Sequence, residues 1–105
     1  MTRVLVVEDL EKDRTNFRRM LEDQSFQVET AIGPEDGLSK FQSFRPDVAL
    51  IDYRCLNSQA NDKSGIRVAL KSDPLTPKIM ISAFADRDEV MQAITQSKAA
   101  KRQTS

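Results

Sequence analysis

Two short and uninterrupted apolar runs, residues 4–7 and 48–51, constrain the fold of this 105-residue chain more than any other feature. A strand that is apolar at every position is covered on both faces, as strands of parallel sheets are. A third apolar run, residues 79–81, continues the pattern, and segments with helical spacing of apolar residues lie between the runs. The chain therefore predicts an α/β fold in which parallel strands alternate with helices.

The remaining segments predict the topology. Residues 26–30 alternate apolar and polar side chains, which is typical of a strand at a sheet edge. Helices are expected at residues 10–23, from Pro34, from Gly65 to Asp73, and after Asp86, which forms a capping box with Glu89. With right-handed crossovers this arrangement predicts a flavodoxin-like doubly wound sheet of strand order 2-1-3-4.

Composition excludes several classes of function. Sixteen basic and sixteen acidic residues give a net charge of zero, so no nucleic-acid or membrane partner is expected. No apolar run approaches the ~20 residues that span a bilayer. Met1 is followed at once by a strand-like segment, so no signal peptide is expected. The single cysteine fits a reducing compartment, so we expect a cytoplasmic protein. The absence of histidine leaves carboxylates, hydroxyls, lysine or a hard metal ion for any chemistry.

Three carboxylates fall at the carboxyl ends of neighbouring predicted strands. Glu8 and Asp9 end the first strand, and Asp52 ends the third. Like charges at close range bind a cation or raise a carboxylate pKa. Hard carboxylate oxygens suit Mg²⁺, and an aspartate beside that ion can attack a phosphoryl group. Ser82, after the fourth strand, would donate a hydrogen bond to a phosphoryl oxygen on Asp52.

Each of these residues also has a purely structural interpretation. Asp9 alone is compatible with a helix N-cap, Asp52 with a turn residue, and Ser82 with an ordinary hydroxyl at a helix start. The joint occurrence of an acid pair, an aspartate and a hydroxyl after strands one, three and four favours the phosphoacceptor hypothesis.

The chain resembles the response-regulator receiver family of two-component signalling. The likeness lies in residues 4–9 (VLVVED), 46–52 (PDVALID) and 79–83 (IMISA), and it extends from residue 3 to about residue 95. It implies that Asp52 is the phosphoacceptor, that Glu8 and Asp9 bind Mg²⁺ together with Asp52 and the backbone carbonyl of Arg54, and that Ser82 is the switch hydroxyl. It also implies a histidine kinase or phosphotransfer protein as donor, and a downstream protein as target.

The sequence departs from the family in the loop after Asp52, in the fifth strand with its lysine, and in the switch aromatic that this strand carries in the family. The polar loop between Asp52 and Gly65 is longer than usual, which indicates either a tolerated insertion or a partner contact. The family's fifth strand, with its lysine, and fifth helix are missing or degenerate, because the lysine position falls at about Thr104. We therefore expect a receiver domain at residues 1–97, incomplete at its C-terminal end, and a polar, basic tail at residues 98–105. The uncovered edge of the fourth strand predicts self-association, such as a homodimer, or a covering partner.

Three classes of function compete. The leading hypothesis is a single-domain phosphorelay receiver, and the alternative is a receiver-like interaction module that works without phosphorylation. Aspartyl-nucleophile phosphatases of the haloacid dehalogenase type need a second aspartate two residues after the first, where this chain has Arg54. No enzymatic activity is therefore expected, and three glycines do not form a nucleotide-binding loop.

Overall fold

The computed structural model describes residues 1–52, 75–81 and 87–104, and these residues form one parallel sheet with helices against it. The strands are β1 (Arg3–Val7), β2 (Gln27–Ala31), β3 (Val48–Asp52) and β4 (Lys78–Ile81), and the helices are α1 (Glu11–Asp23), α2 (Pro34–Phe44) and α3 (Arg87–Thr104). The strand order is β2-β1-β3-β4 and every pairing is parallel. The predicted flavodoxin-like order is thereby confirmed.

The two central strands are buried because both of their faces are apolar. Residues 4–7 of β1 and 48–51 of β3 are buried, as their continuous apolar runs predict, and Asp52 at the end of β3 is buried as well. β2 lies at one edge of the sheet, where its alternating pattern leaves Gln27 exposed and Val28 buried. The register pairs Val7 of β1 with Ile51 of β3, so the carboxyl ends of these strands lie side by side.

β4 corrects one expectation. Its apolar run predicts a strand buried on both faces, but only Ile81 is buried and Met80 is 40% exposed. In the described sheet β4 pairs with β3 alone, as the predicted strand order requires, and its faces are less completely covered than those of the central strands. A run of three apolar residues does not show how completely the faces of a strand are covered.

Helices cover both faces of the sheet. One face forms a core cluster in which Leu21 of α1 packs with Val90 and Ile94 of α3 over β1, β3 and β4. The other face packs against Phe41 of α2. α3, whose buried residues Val90 and Ile94 are one helical turn apart, shares this face of the sheet with α1.

The last helix also changes the expected tail. Residues 98–104, predicted as a polar tail, continue α3, so the position at which the resemblance places a lysine-bearing strand is helical. The domain boundary at residue 97 stays a prediction. The predicted loop at 54–64, the helix from Gly65 and the cap at Asp86 lie outside the described residues. Within the described ranges, no helix has the length and hydropathy needed to span a membrane.

Candidate metal centre

Three carboxylates converge at the carboxyl ends of β1 and β3. Asp52 is the last residue of β3, and Glu8 and Asp9 follow β1 directly. One carboxylate oxygen from each lies within 4.8 Å of the other two. Parallel pairing of adjacent strands brings these residues together from distant parts of the sequence. The cluster that the sequence predicts is therefore present.

Two of the three carboxylates are almost fully buried, and the third is half-buried. Glu8 is 1% exposed and Asp52 is 4% exposed, whereas Asp9 is half-buried. Burial, a hydrogen bond with Asp52 and the negative charge of Asp52 raise the pKa of Glu8 to about 9, although the Leu10 N–H opposes this shift. Without a cation Glu8 is thus protonated at neutral pH and donates to Asp52. A cation among the three carboxylates would take the place of that proton.

The turn from β1 to α1 is fixed by hydrogen bonds to its backbone. The Glu8 N–H donates to the carbonyl of Ala31 at 3.0 Å, and the Leu10 N–H donates to Glu8 Oε1 at 3.1 Å. Arg14 Nη1 donates to the carbonyls of Glu8, at 2.9 Å, and Asp9, at 3.1 Å. Both acids therefore project from a turn whose backbone is held at several points.

The structural alternative for Asp9 does not match this geometry, because the N-cap position of α1 is Leu10 and Asp9 precedes it. Asp52 is the last residue of β3, where its register partner is Ile81, and the residues that would form a turn after it lie outside the described ranges. Ser82 and Arg54 lie outside the described residues. Sequence reasoning missed Arg14, because a side chain that binds backbone carbonyls leaves no periodic or charge pattern.

The donor set fits Mg²⁺. All three side chains offer hard oxygen ligands, which Mg²⁺ prefers over nitrogen or sulfur. One oxygen from each side chain lies within 4.8 Å of the other two, so the three side chains face one small space in which they would hold a single ion.

Comparison with known proteins identifies the family. A family model for the response regulator receiver domain matches residues 4–101. The chain belongs to this family. Protein-glutamate methylesterase/protein-glutamine glutaminase 1 of Myxococcus xanthus (strain DK1622) is 30% identical over 93 residues, which are 87% of this chain and 26% of that protein. The chain thus spans about a quarter of the length of this curated relative.

Solved structures share the fold. A CheY-like response regulator receiver domain protein from Methanospirillum hungatei JF-1 superposes with a TM-score of 0.84 at 18% identity, covering 100% of this chain and 99% of that one. The anti-anti-sigma factor PhyR from Bartonella quintana gives a TM-score of 0.80 at 17% identity, covering 98% of this chain and 49% of that one. The fold is therefore that of a receiver domain of two-component signalling.

Proposed function

We propose that this receiver domain accepts a phosphoryl group on Asp52 in the presence of Mg²⁺, and that the phosphorylated form signals by binding another protein. The observation that carries the proposal is the convergence of Glu8, Asp9 and Asp52 at the carboxyl ends of β1 and β3. Two of these carboxyl groups are almost fully buried, which an acidic cluster without a counter-ion would disfavour.

The chemistry follows from the position of Asp52. When bound, Mg²⁺ supplies positive charge that neutralises the phosphoryl oxygens. An Asp52 carboxylate oxygen attacks phosphorus and forms an acyl phosphate, while the bond from phosphorus to the donor breaks and the donor keeps the electron pair. The donor is a phosphohistidine of a kinase or phosphotransfer protein, or a small acyl phosphate. The half-buried Asp9 marks the side from which solvent reaches the cluster.

Two further residues complete the proposal. Ser82 follows Ile81, the register partner of Asp52, so we assign its hydroxyl as the hydrogen-bond donor to the phosphoryl group. The backbone carbonyl of Arg54, two residues after Asp52, is assigned as an additional oxygen ligand of Mg²⁺. Substitution of Ser82 by alanine should leave phosphorylation intact and weaken binding to the downstream protein.

Intact-mass spectrometry tests the phosphoacceptor. After incubation with Mg²⁺ and acetyl phosphate, the parent protein should gain the mass of one phosphoryl group, and a chelator should prevent the gain. Asp52→Asn should gain nothing, whereas the matched variant Asp23→Asn, which alters an exposed residue at the end of α1, should behave as the parent does. A phosphoryl adduct on Asp52→Asn would contradict the assignment.

One observation favours a second candidate, a receiver-like module that binds its partner without phosphorylation. α3 extends to Thr104, so the described residues provide no lysine-bearing strand at the position the resemblance indicates. The same measurement separates the candidates. If neither acetyl phosphate nor a phosphorylated histidine kinase labels the parent, the phosphorylation-independent module is supported and the proposed transfer is wrong.

A further inference from the structure

The side chain of Arg14 hydrogen-bonds to backbone that precedes its own helix. It lies in the first turns of α1, yet its Nη1 reaches back to the carbonyls of Glu8 and Asp9, at 2.9 and 3.1 Å. Both hydrogen bonds are partly shielded from water, and the donor is a permanently charged guanidinium. One side chain therefore clamps the backbone of both acids that the first strand contributes to the cluster.

Among the described residues, no backbone N–H of the neighbouring strands or of α1 donates to these two carbonyls. β1 ends at Val7, and α1 begins at Glu11 with Leu10 as its N-cap. The first carbonyl of the helical ladder is that of Leu10, which accepts from the Arg14 N–H at 2.9 Å. A partly buried carbonyl between two such elements needs another donor. Arg14 supplies that donor to both residues.

The other polar groups of Glu8 hydrogen-bond to backbone atoms. A side-chain substitution at Arg14 would not remove these partners. Its N–H donates to the carbonyl of Ala31, and its Oε1 accepts from the N–H of Leu10. Within the part of the chain that the structure describes, Arg14 is thus the donor to the carbonyls of Glu8 and Asp9, while the other hydrogen bonds of Glu8 have backbone partners. Orientation of the peptide planes at residues 8 and 9 sets the direction in which both carboxylates project.

We propose that Arg14 is a positioning residue of the metal centre: it fixes the turn so that the carboxylates of Glu8 and Asp9 meet that of Asp52. This inference rests on the proposed function, since it concerns the site at which Mg²⁺ binds. Groups that orient metal ligands contribute about 10- to 100-fold to metal affinity. Arg14 should contribute within that range without touching the ion.

Calorimetric titration with Mg²⁺ tests the proposal. Arg14→Met keeps the apolar stem and helix propensity but removes the donors, and it should weaken Mg²⁺ binding by about 10- to 100-fold. Arg14→Lys retains a charged group able to donate to both carbonyls and should recover most of the affinity. The matched control is Arg18→Met, one turn further along α1, whose exposed guanidinium pairs with Glu22 and should leave the affinity unchanged.

A second readout does not need the metal. In the metal-free protein the Leu10 N–H donates to Glu8 Oε1, so its hydrogen exchange reports whether the turn keeps its geometry. This exchange should be faster in Arg14→Met than in the parent or in Arg18→Met. Parent-like Mg²⁺ affinity and parent-like Leu10 exchange in Arg14→Met would overturn the proposal, as would equal losses in Arg18→Met. If the parent binds no Mg²⁺, the proposed function fails, and Leu10 exchange alone decides whether Arg14 positions the turn.

Discussion

Replacement of Glu8 by glutamine should stabilise the metal-free protein, and the gain should grow with pH. Burial and the neighbouring Asp52 raise the pKa of Glu8 from 4.5 to about 9 in the folded state. Between these values the folded protein holds a proton that the unfolded chain releases, so stability falls as pH rises. Glutamine cannot ionise, and its amide can still donate to Asp52 and accept from the Leu10 N–H.

The magnitude follows from the linkage relation. Each pH unit above the unfolded-state value costs the parent up to about 1.4 kcal/mol until the folded-state pKa is reached. The glutamine variant should therefore be more stable than the parent by about 1 kcal/mol at about pH 5 and by about 3 kcal/mol at about pH 7. A domain of this size has a stability of about 5–15 kcal/mol, so the larger difference is readily measured.

Urea unfolding of the metal-free proteins, with a chelator present, measures this difference at each pH. Glu35→Gln is the matched control, because Glu35 is exposed in the first turn of α2 and its removal should change stability little above about pH 5. Mg²⁺ should restore stability to the parent more than to Glu8→Gln. Parallel stability curves for the parent and Glu8→Gln across this pH range would refute the reasoning about the buried carboxyl cluster.

Three further predictions concern the packing and the ion. Ile94→Ala should destabilise the fold by about 2–5 kcal/mol, because Ile94 is buried between α3 and the sheet face that α3 shares with α1. Urea unfolding measures the loss, with Ala substituted at the exposed Gln92 as the control. A loss no larger than that of Gln92→Ala would contradict the placement of α3. Mg²⁺ affinity should rise with pH up to about 9, since Glu8 must lose its proton before it binds the ion. Calorimetry in buffers of different ionisation enthalpy should detect this proton release. An affinity that does not change with pH would contradict the coupling between the proton and the ion. Self-association through the edge of β4 should be seen by size-exclusion chromatography with light scattering and be weakened by Met80→Glu, whereas a monomer at every concentration would exclude it.

The sheet could be predicted from the sequence because its central strands are apolar on both faces. Continuous burial of β1 and β3 follows from their runs, and the alternation in β2 indicates an edge. The exposure of Met80 and the face chosen by α3 could not be predicted in this way. Helical periodicity shows that Val90 and Ile94 share one side of a helix, but not which face of the sheet that side covers.

Of the candidate metal centre, only the carboxylates could be predicted from the sequence. Parallel topology brings the ends of neighbouring strands together, so the sequence alone places Glu8, Asp9 and Asp52 in one cluster. The protonation of Glu8 depends on how completely the turn excludes water, which the sequence does not encode locally. The contacts of Arg14 depend on the path of the backbone between β1 and α1, and such contacts have no sequence pattern.

A crystal structure with Mg²⁺ and beryllofluoride, which mimics a phosphoryl group on aspartate, tests the central claim most directly. We expect the ion to be held among the oxygens of Glu8, Asp9 and Asp52, with beryllium bonded to an Asp52 carboxylate oxygen. An ion bound elsewhere, or carboxylates that turn away from one another with no adduct on Asp52, would contradict the account.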